Sequence, residues 1–135
     1  MAIRDVGAMN ASLDNDYGPT RGPNSPPAHQ LALFVGDPFD EGVELDPAAA
    51  PGYARVTVLP AAWPPAEDGI KATDVQLPPV TDEWADAPTH WALYGSDGAT
   101  MWDCNPLSEP IDVTGPGDGP VVTVTIFYDE SVEEA

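Results

Sequence analysis

Positive charge is what this chain has least of. Its 135 residues hold only 4 Lys and Arg against 23 Asp and Glu, a formal net charge of −19. The basic side chains are Arg4, Arg21, Arg55 and Lys71. Phosphate recognition needs clustered cations that displace counterions, so direct nucleic-acid binding is excluded as an expectation. Cys104 is the single cysteine, which rules out an intramolecular disulfide and the framework of a small disulfide-stapled domain; it reads as a small core or interface residue. No apolar run reaches transmembrane length, and Met1 to Asn10 lacks the charged and apolar regions of a signal peptide. The expectation is a product that starts in a cytoplasm with no membrane partner. Asn10-Ala11-Ser12 matches a glycosylation sequon, which without a secretory route is chance.

Uninterrupted helix-forming sequence is also scarce. The 17 prolines run from Pro19 to Pro120, each removing a backbone donor and fixing φ, so long helices are excluded from most of the chain. What remains reads as short strands. Gln30 to Val35 is a nearly continuous apolar run, as in a strand buried on both faces, stopped by Gly36-Asp37-Pro38. Tyr53 to Leu59 alternates, with Tyr53, Arg55, Thr57 and Leu59 on one face. Lys71 to Leu77 alternates more weakly, and Ile111 to Thr114 is a short candidate. Thr89 to Tyr94 and Thr100 to Cys104 flank Gly95-Ser96-Asp97-Gly98, whose Gly and Asp suit a tight hairpin turn. Val121 to Tyr128 is β-branched and aromatic almost throughout.

Six or seven such strands predict an all-β fold: a single antiparallel β-sandwich or jelly-roll-like domain over residues 29–128. It is preceded by an extended Gly- and Pro-rich N-terminal arm, residues 1–28, and followed by an acidic tail, residues 129–135. Leu31-Ala32-Leu33-Phe34 and Trp91-Ala92-Leu93-Tyr94 match one another, which hints at two related strands in equivalent central positions of facing sheets.

Chemistry-bearing patterns are weak. His29, His90 and Cys104 supply three zinc-type ligands from separate segments with no recognisable spacing, so no metal and no cofactor is expected. Asp37, Asp40, Glu41, Glu44 and Asp46 are oxygen donors without the spacing of a calcium loop and read as a solvated acidic loop. Gly95-Ser96-Asp97-Gly98 lacks the spacing and context of a nucleophile elbow. Carboxylate pairs are too abundant here to single out a catalytic one. No catalytic residue is assigned.

Four tryptophans are many for this length. Trp91 and Trp102 fall on the hairpin and are expected in the core. Trp63, before Pro64-Pro65, and Trp84, among acidic residues, fall in loops and are candidate partner-binding residues, where flat amphipathic rings could serve a protein interface or a glycan platform. The arm adds Ile3, Arg4, Val6, Met9, Leu13, Tyr17 and Arg21 as candidate docking contacts.

Taken in order, Leu31 to Pro38, Gly52-Tyr53-Ala54-Arg55, Val75-Gln76-Leu77-Pro78 and Thr89-His90-Trp91-Ala92-Leu93-Tyr94 resemble words of a family of small accessory virion proteins of tailed bacteriophages. In that family "LALFTGDP"-like, "GYAR"-like, "FP"-like and "THWALF"-like words recur in this order. The likeness covers roughly residues 29–128, and Met1 to Asn10 resembles the version carried by phages of actinobacteria. The resemblance implies a β-rich, non-enzymatic virion component described as minor tail, tail-fibre or head decoration protein. Its partners would be the major capsid protein or tail proteins of the same particle, with a homo-oligomer expected. An arm joined to a β domain suits capsid decoration best, since a fibre shaft needs long repeats that this chain lacks. A minor tail protein in host attachment and a carbohydrate-binding module are the alternatives.

Overall fold

The computed structural model describes residues 28–67 and 70–127, together with the backbone of Ala2–Ile3 and Glu133–Glu134. It is an all-β protein: antiparallel pairing dominates, and the one helical element among the described residues is the single 3-10 turn Pro60–Ala62. In chain order the strands are β1 (Ala2–Ile3), β2 (His29–Val35), β3 (Val43–Glu44), β4 (Val56–Val58), β5 (Ile70–Gln76), β6 (His90–Tyr94), β7 (Met101–Pro106), β8 (Val121–Phe127) and β9 (Glu133–Glu134). The described backbone falls into two compact units, residues 29–58 with 75–122, and residues 59–74 with 123 onward.

The first unit is built on a five-stranded sheet of order β3-β2-β6-β7, with β4 also pairing β2. β2 and β6 are its centre because their middle residues are apolar and buried on both faces. Leu31, Ala32 and Leu33 are buried, as are Trp91, Ala92 and Leu93. The two matching words lie side by side in this sheet, and not in facing sheets as their likeness predicts. Leu31 pairs Leu93, Ala32 pairs Ala92 and Leu33 pairs Trp91. The small Ala32–Ala92 pair lies between the larger pairs on the opposite face, where Phe34, Tyr94, Met101 and Cys104 pack around it.

The hairpin β6–β7 forms as the turn residues predict. Gly98 takes a positive φ of 72°, the Gly95 N–H donates to the Thr100 carbonyl, and the Gly98 N–H donates to the Gly95 carbonyl. Asp97 closes the loop by accepting the Ala99 and Thr100 amides and the Thr100 hydroxyl; these hydrogen bonds hold its carboxyl below the usual range. A register shift between Leu93 and Tyr94 sets Tyr94 opposite Met101. Trp91 is buried as expected, but Trp102 is 36% exposed and meets His29 edge-on at 5.4 Å. Its strand is the edge of the sheet.

Three further expectations change. Tyr53 to Leu59 forms a strand only over Val56–Val58, because Tyr53 and Arg55 turn away to other partners. Ile111 to Thr114 forms no strand: the Ile111 N–H donates to the Pro88 carbonyl and the Val113 carbonyl accepts from Trp84 N–H, so its backbone is satisfied by loops. Inside the predicted acidic loop, Val43–Glu44 pairs Phe34 and Val35 to make β3. The turn before it needs Gly36 at φ 87° and Glu41 at φ 63°.

The second unit contains the turn Pro60–Ala62, most of β5, and β8, which pairs β5. Trp63, Ala66, Val124 and Ile126 are its buried apolar residues. Lys71 is buried with them, its ammonium donating to the Pro64 carbonyl at 2.8 Å. β1 and β9 pair antiparallel.

Gly52 sits at φ 90° in a turn of the first unit, and an added Cβ would strike the Pro79 carbonyl. Gly52→Ala is expected to destabilise by about 2 kcal/mol or more through combined strain and clash, read as a lower urea midpoint at unchanged slope. An unchanged midpoint would show that the turn tolerates a side chain.

Candidate functional site

Pairing along β2 has a gap. β4 pairs His29 to Leu31 and β3 pairs Phe34 and Val35. The Leu33 N–H lies between these segments, and a buried amide needs an acceptor. The Tyr53 hydroxyl supplies it, accepting the Leu33 N–H at 3.2 Å and donating to Glu44 Oε2 at 2.7 Å. One phenol thereby takes the place of a missing strand residue and ties β2 to β3.

Glu44 is also gripped by Arg55. The guanidinium donates through Nε to Oε2 at 2.9 Å and through Nη2 to Oε1 at 2.8 Å, a two-pronged geometry that suits a planar carboxylate. Its remaining nitrogen donates to the Gly98 carbonyl at 2.8 Å and to Gln30 Oε1 at 3.4 Å. The group lies 4.1 Å above the Tyr94 ring, which stacks on Phe34 at 6.4 Å. The 26% and 29% exposure of the two side chains places this pair between a surface bridge and a buried one. Tyr53 packs edge-on against Trp84 at 6.4 Å, and Trp84 Nε1–H donates to the Pro51 carbonyl at 3.0 Å.

The electrostatics of the cluster are those of a clasp. Burial raises the Glu44 carboxyl, but hydrogen bonds from Arg55 and Tyr53 and the Arg55 charge outweigh it and keep the group below its ordinary value. Burial, the Glu44 hydrogen bond and the Glu44 charge push the Tyr53 phenol up. Arg55 is held charged chiefly by its bond to Glu44. Glu44 is thus ionised and fully engaged, while Tyr53 is protonated and engaged at both lone pair and proton. Neither is poised to exchange a proton with a substrate at neutral pH.

Thr89 and His90 extend the fastening along β6. The Thr89 hydroxyl accepts the Gly36 N–H at 2.9 Å and meets His90 Nδ1 at 2.8 Å, while the Thr89 N–H donates to the Phe34 carbonyl. His29 is buried, which lowers its imidazole to about 4. Burial, with the Asp37 and Asp103 charges, pushes the Cys104 thiol up and keeps it protonated.

Among the described residues, no three His, Cys, Asp or Glu side chains come together as a metal site. Of the five acidic-loop donors, Glu44 belongs to Arg55, Asp37 accepts the Phe39 N–H at 2.9 Å and Asp46 accepts the Ala48 N–H at 2.9 Å. The loop tryptophans do not sit where an exposed platform would need them: Trp63 is 3% and Trp84 7% exposed, so both rings are core. The Trp84 indole is held by the Pro51 carbonyl. Ile3 lies in β1, of which only the backbone is described. Arg4, Val6, Met9, Leu13, Tyr17 and Arg21 lie outside the described residues.

Sequence reasoning missed Glu44, Tyr53 and Arg55 as one group. The available signal was Arg55 itself, a rare cation in so acidic a chain, set two residues from a tyrosine. Beside this clasp, Val35, Val43, Leu45, Ala49 and Ala50 line an open cavity of about 330 Å³. The fold and the clasp define a β-rich scaffold whose clustered polar residues hold backbone to backbone. Compared with protein-family models, curated proteins and solved structures, the chain matches none.

Proposed function

We propose that this chain is a non-enzymatic structural component of a tailed-phage virion, a capsid decoration protein that docks on the shell through its N-terminal arm. The observation that carries the reading is where the ordered words fall. "LALFVG" is the central strand β2, "GYAR" supplies the Tyr53 and Arg55 that bind Glu44, and "THWALY" is the neighbouring β6 with Thr89 before it. Tyr53, Arg55 and Thr89 in them hold backbone segments together, which fits a set of words tied to a virion scaffold and not to a reaction. The net charge of −19 adds a surface that stays soluble and repels acidic neighbours when displayed outward. The burial of Trp63 and Trp84 removes the feature that favoured a carbohydrate module.

Particles assembled with a chain lacking residues 1–28 provide the test. Purified virions are expected to lack the truncated chain while its thermal unfolding stays within a few degrees of the full chain. Normal incorporation of the truncated chain would overturn docking through the arm.

A further inference from the structure

The cavity beside the clasp has a chemistry that neither the fold nor the clasp uses. Its walls are Val35, Val43, Leu45, Ala49 and Ala50, and its volume of about 330 Å³ lies at the small end of binding cavities, about 300–1,000 Å³. Three carboxylates complete the lining: Glu44, Asp46 and Asp86. Glu44 is neutralised by Arg55, which leaves Asp46 and Asp86, both exposed, as the charges offered to a visitor. The cavity is firmly built on one side, because Asp46 accepts the Ala48 amide through its side chain and the Ala49 and Ala50 amides through its carbonyl. The Ala85 N–H donates to the Ala49 carbonyl and holds the segment carrying Asp86 against it. One aliphatic wall residue is itself open to solvent. Val43, on the lining, is 68% exposed.

An aliphatic slot with two unneutralised carboxylates complements one kind of group: a long apolar stem ending in a cation. We infer that this cavity receives a lysine or arginine side chain of a partner protein, its stem along the aliphatic wall and its head at Asp46 and Asp86, with an apolar neighbour of that residue on Val43. Stem burial and charge pairing then act together, as they do where long cationic side chains cover apolar surface. A chain with almost no cations of its own takes the complementary charge from its partner. The assignment holds for a partner in a virion or elsewhere.

The test uses the full chain, 15N-labelled, titrated with the hexapeptide acetyl-Ser-Val-Lys-Val-Ser-Gly-amide. Two control peptides replace the lysine by norleucine, which keeps the stem without the charge, or by glutamate. Saturable shifts of the Val43, Leu45, Ala49 and Ala50 amides are expected, with a dissociation constant below about 1 mM. Both control peptides should bind at least about tenfold more weakly, the loss expected when a charged head loses its partner. The double variant Asp46→Asn, Asp86→Asn retains the side-chain oxygen that accepts the Ala48 amide and should bind the lysine peptide no better than the norleucine one. Absence of saturable shifts at these amides would overturn the inference, as would equal binding of the norleucine peptide or full binding by the double variant. Concentration-dependent shifts of the same amides without peptide would also overturn it, by making a second copy the occupant.

Discussion

Arg55→Met is expected to lower stability by about 2–3 kcal/mol, between the small worth of surface pairs and the 3–5 kcal/mol lost when one partner of a buried pair is removed. Methionine keeps much of the stem's packing but removes four hydrogen bonds and the contact with Tyr94. Glu44 then retains the Tyr53 hydroxyl alone, and the Gly98 carbonyl loses its donor. For a chain of 135 residues this corresponds to a fall in Tm of roughly 10 °C. The double variant Glu44→Gln, Arg55→Met should cost clearly less than the sum of the two single changes, because the pair is broken only once. Additive losses, or a single-variant loss below about 0.5 kcal/mol, would show that the pair fastens nothing.

The second large effect is a pH dependence from His29. Its folded-state pKa is about 4 against an ordinary 6.5, and burial is the cause. Above about pH 6.5 both folded and unfolded states carry neutral imidazole, and the group contributes no slope. Between 6.5 and 4 the unfolded chain binds the proton and the folded chain does not, so acidification favours unfolding. Below about 4 both states are protonated and the loss is complete. The shift corresponds to a loss of up to about 3 kcal/mol across that window. Protonating carboxylates in so acidic a chain relieves repulsion and works the other way, so the readout is the difference between wild type and His29→Gln, which cannot take up the proton. Urea unfolding at pH 7 and pH 4.5 should show the wild type losing stability relative to the variant. Parallel pH profiles would place the imidazole in contact with solvent. The depressed Glu44 carboxyl adds a second contribution of the same sign lower down: its stabilisation is complete above the ordinary value and is lost as pH falls through the folded one.

The strands visible in the sequence are those whose burial is written in consecutive side chains. β2, β6 and β8 are apolar or β-branched through most of their length, and the Gly and Asp of residues 95–98 dictate the turn that pairs β6 with β7. β3 was hidden because two residues carry no period; it exists because the turn with Gly36 and Glu41 at positive φ brings Val43 and Glu44 back beside Phe34 and Val35. Ile111 to Thr114 has strand composition, but its backbone bonds go to the Pro88 carbonyl and the Trp84 amide. The place of Trp102 on the hairpin suggests core, whereas the ring is partly exposed on an edge strand. The clasp was illegible for a related reason. Glu44 looked like one solvated acid among many, and Tyr53 and Arg55 like one face of a strand. Only the gap in the pairing of β2, a tertiary feature, shows why a tyrosine hydroxyl and an ion pair are needed there.

The proposed virion role is tested most directly by gold labelling of a C-terminally tagged copy on intact tailed-phage particles assembled in its presence, imaged by electron microscopy and counted per particle. Many labels spread over the head are the result expected of a decoration protein. Label confined to the tail in a few copies, or particles that carry none, would contradict it.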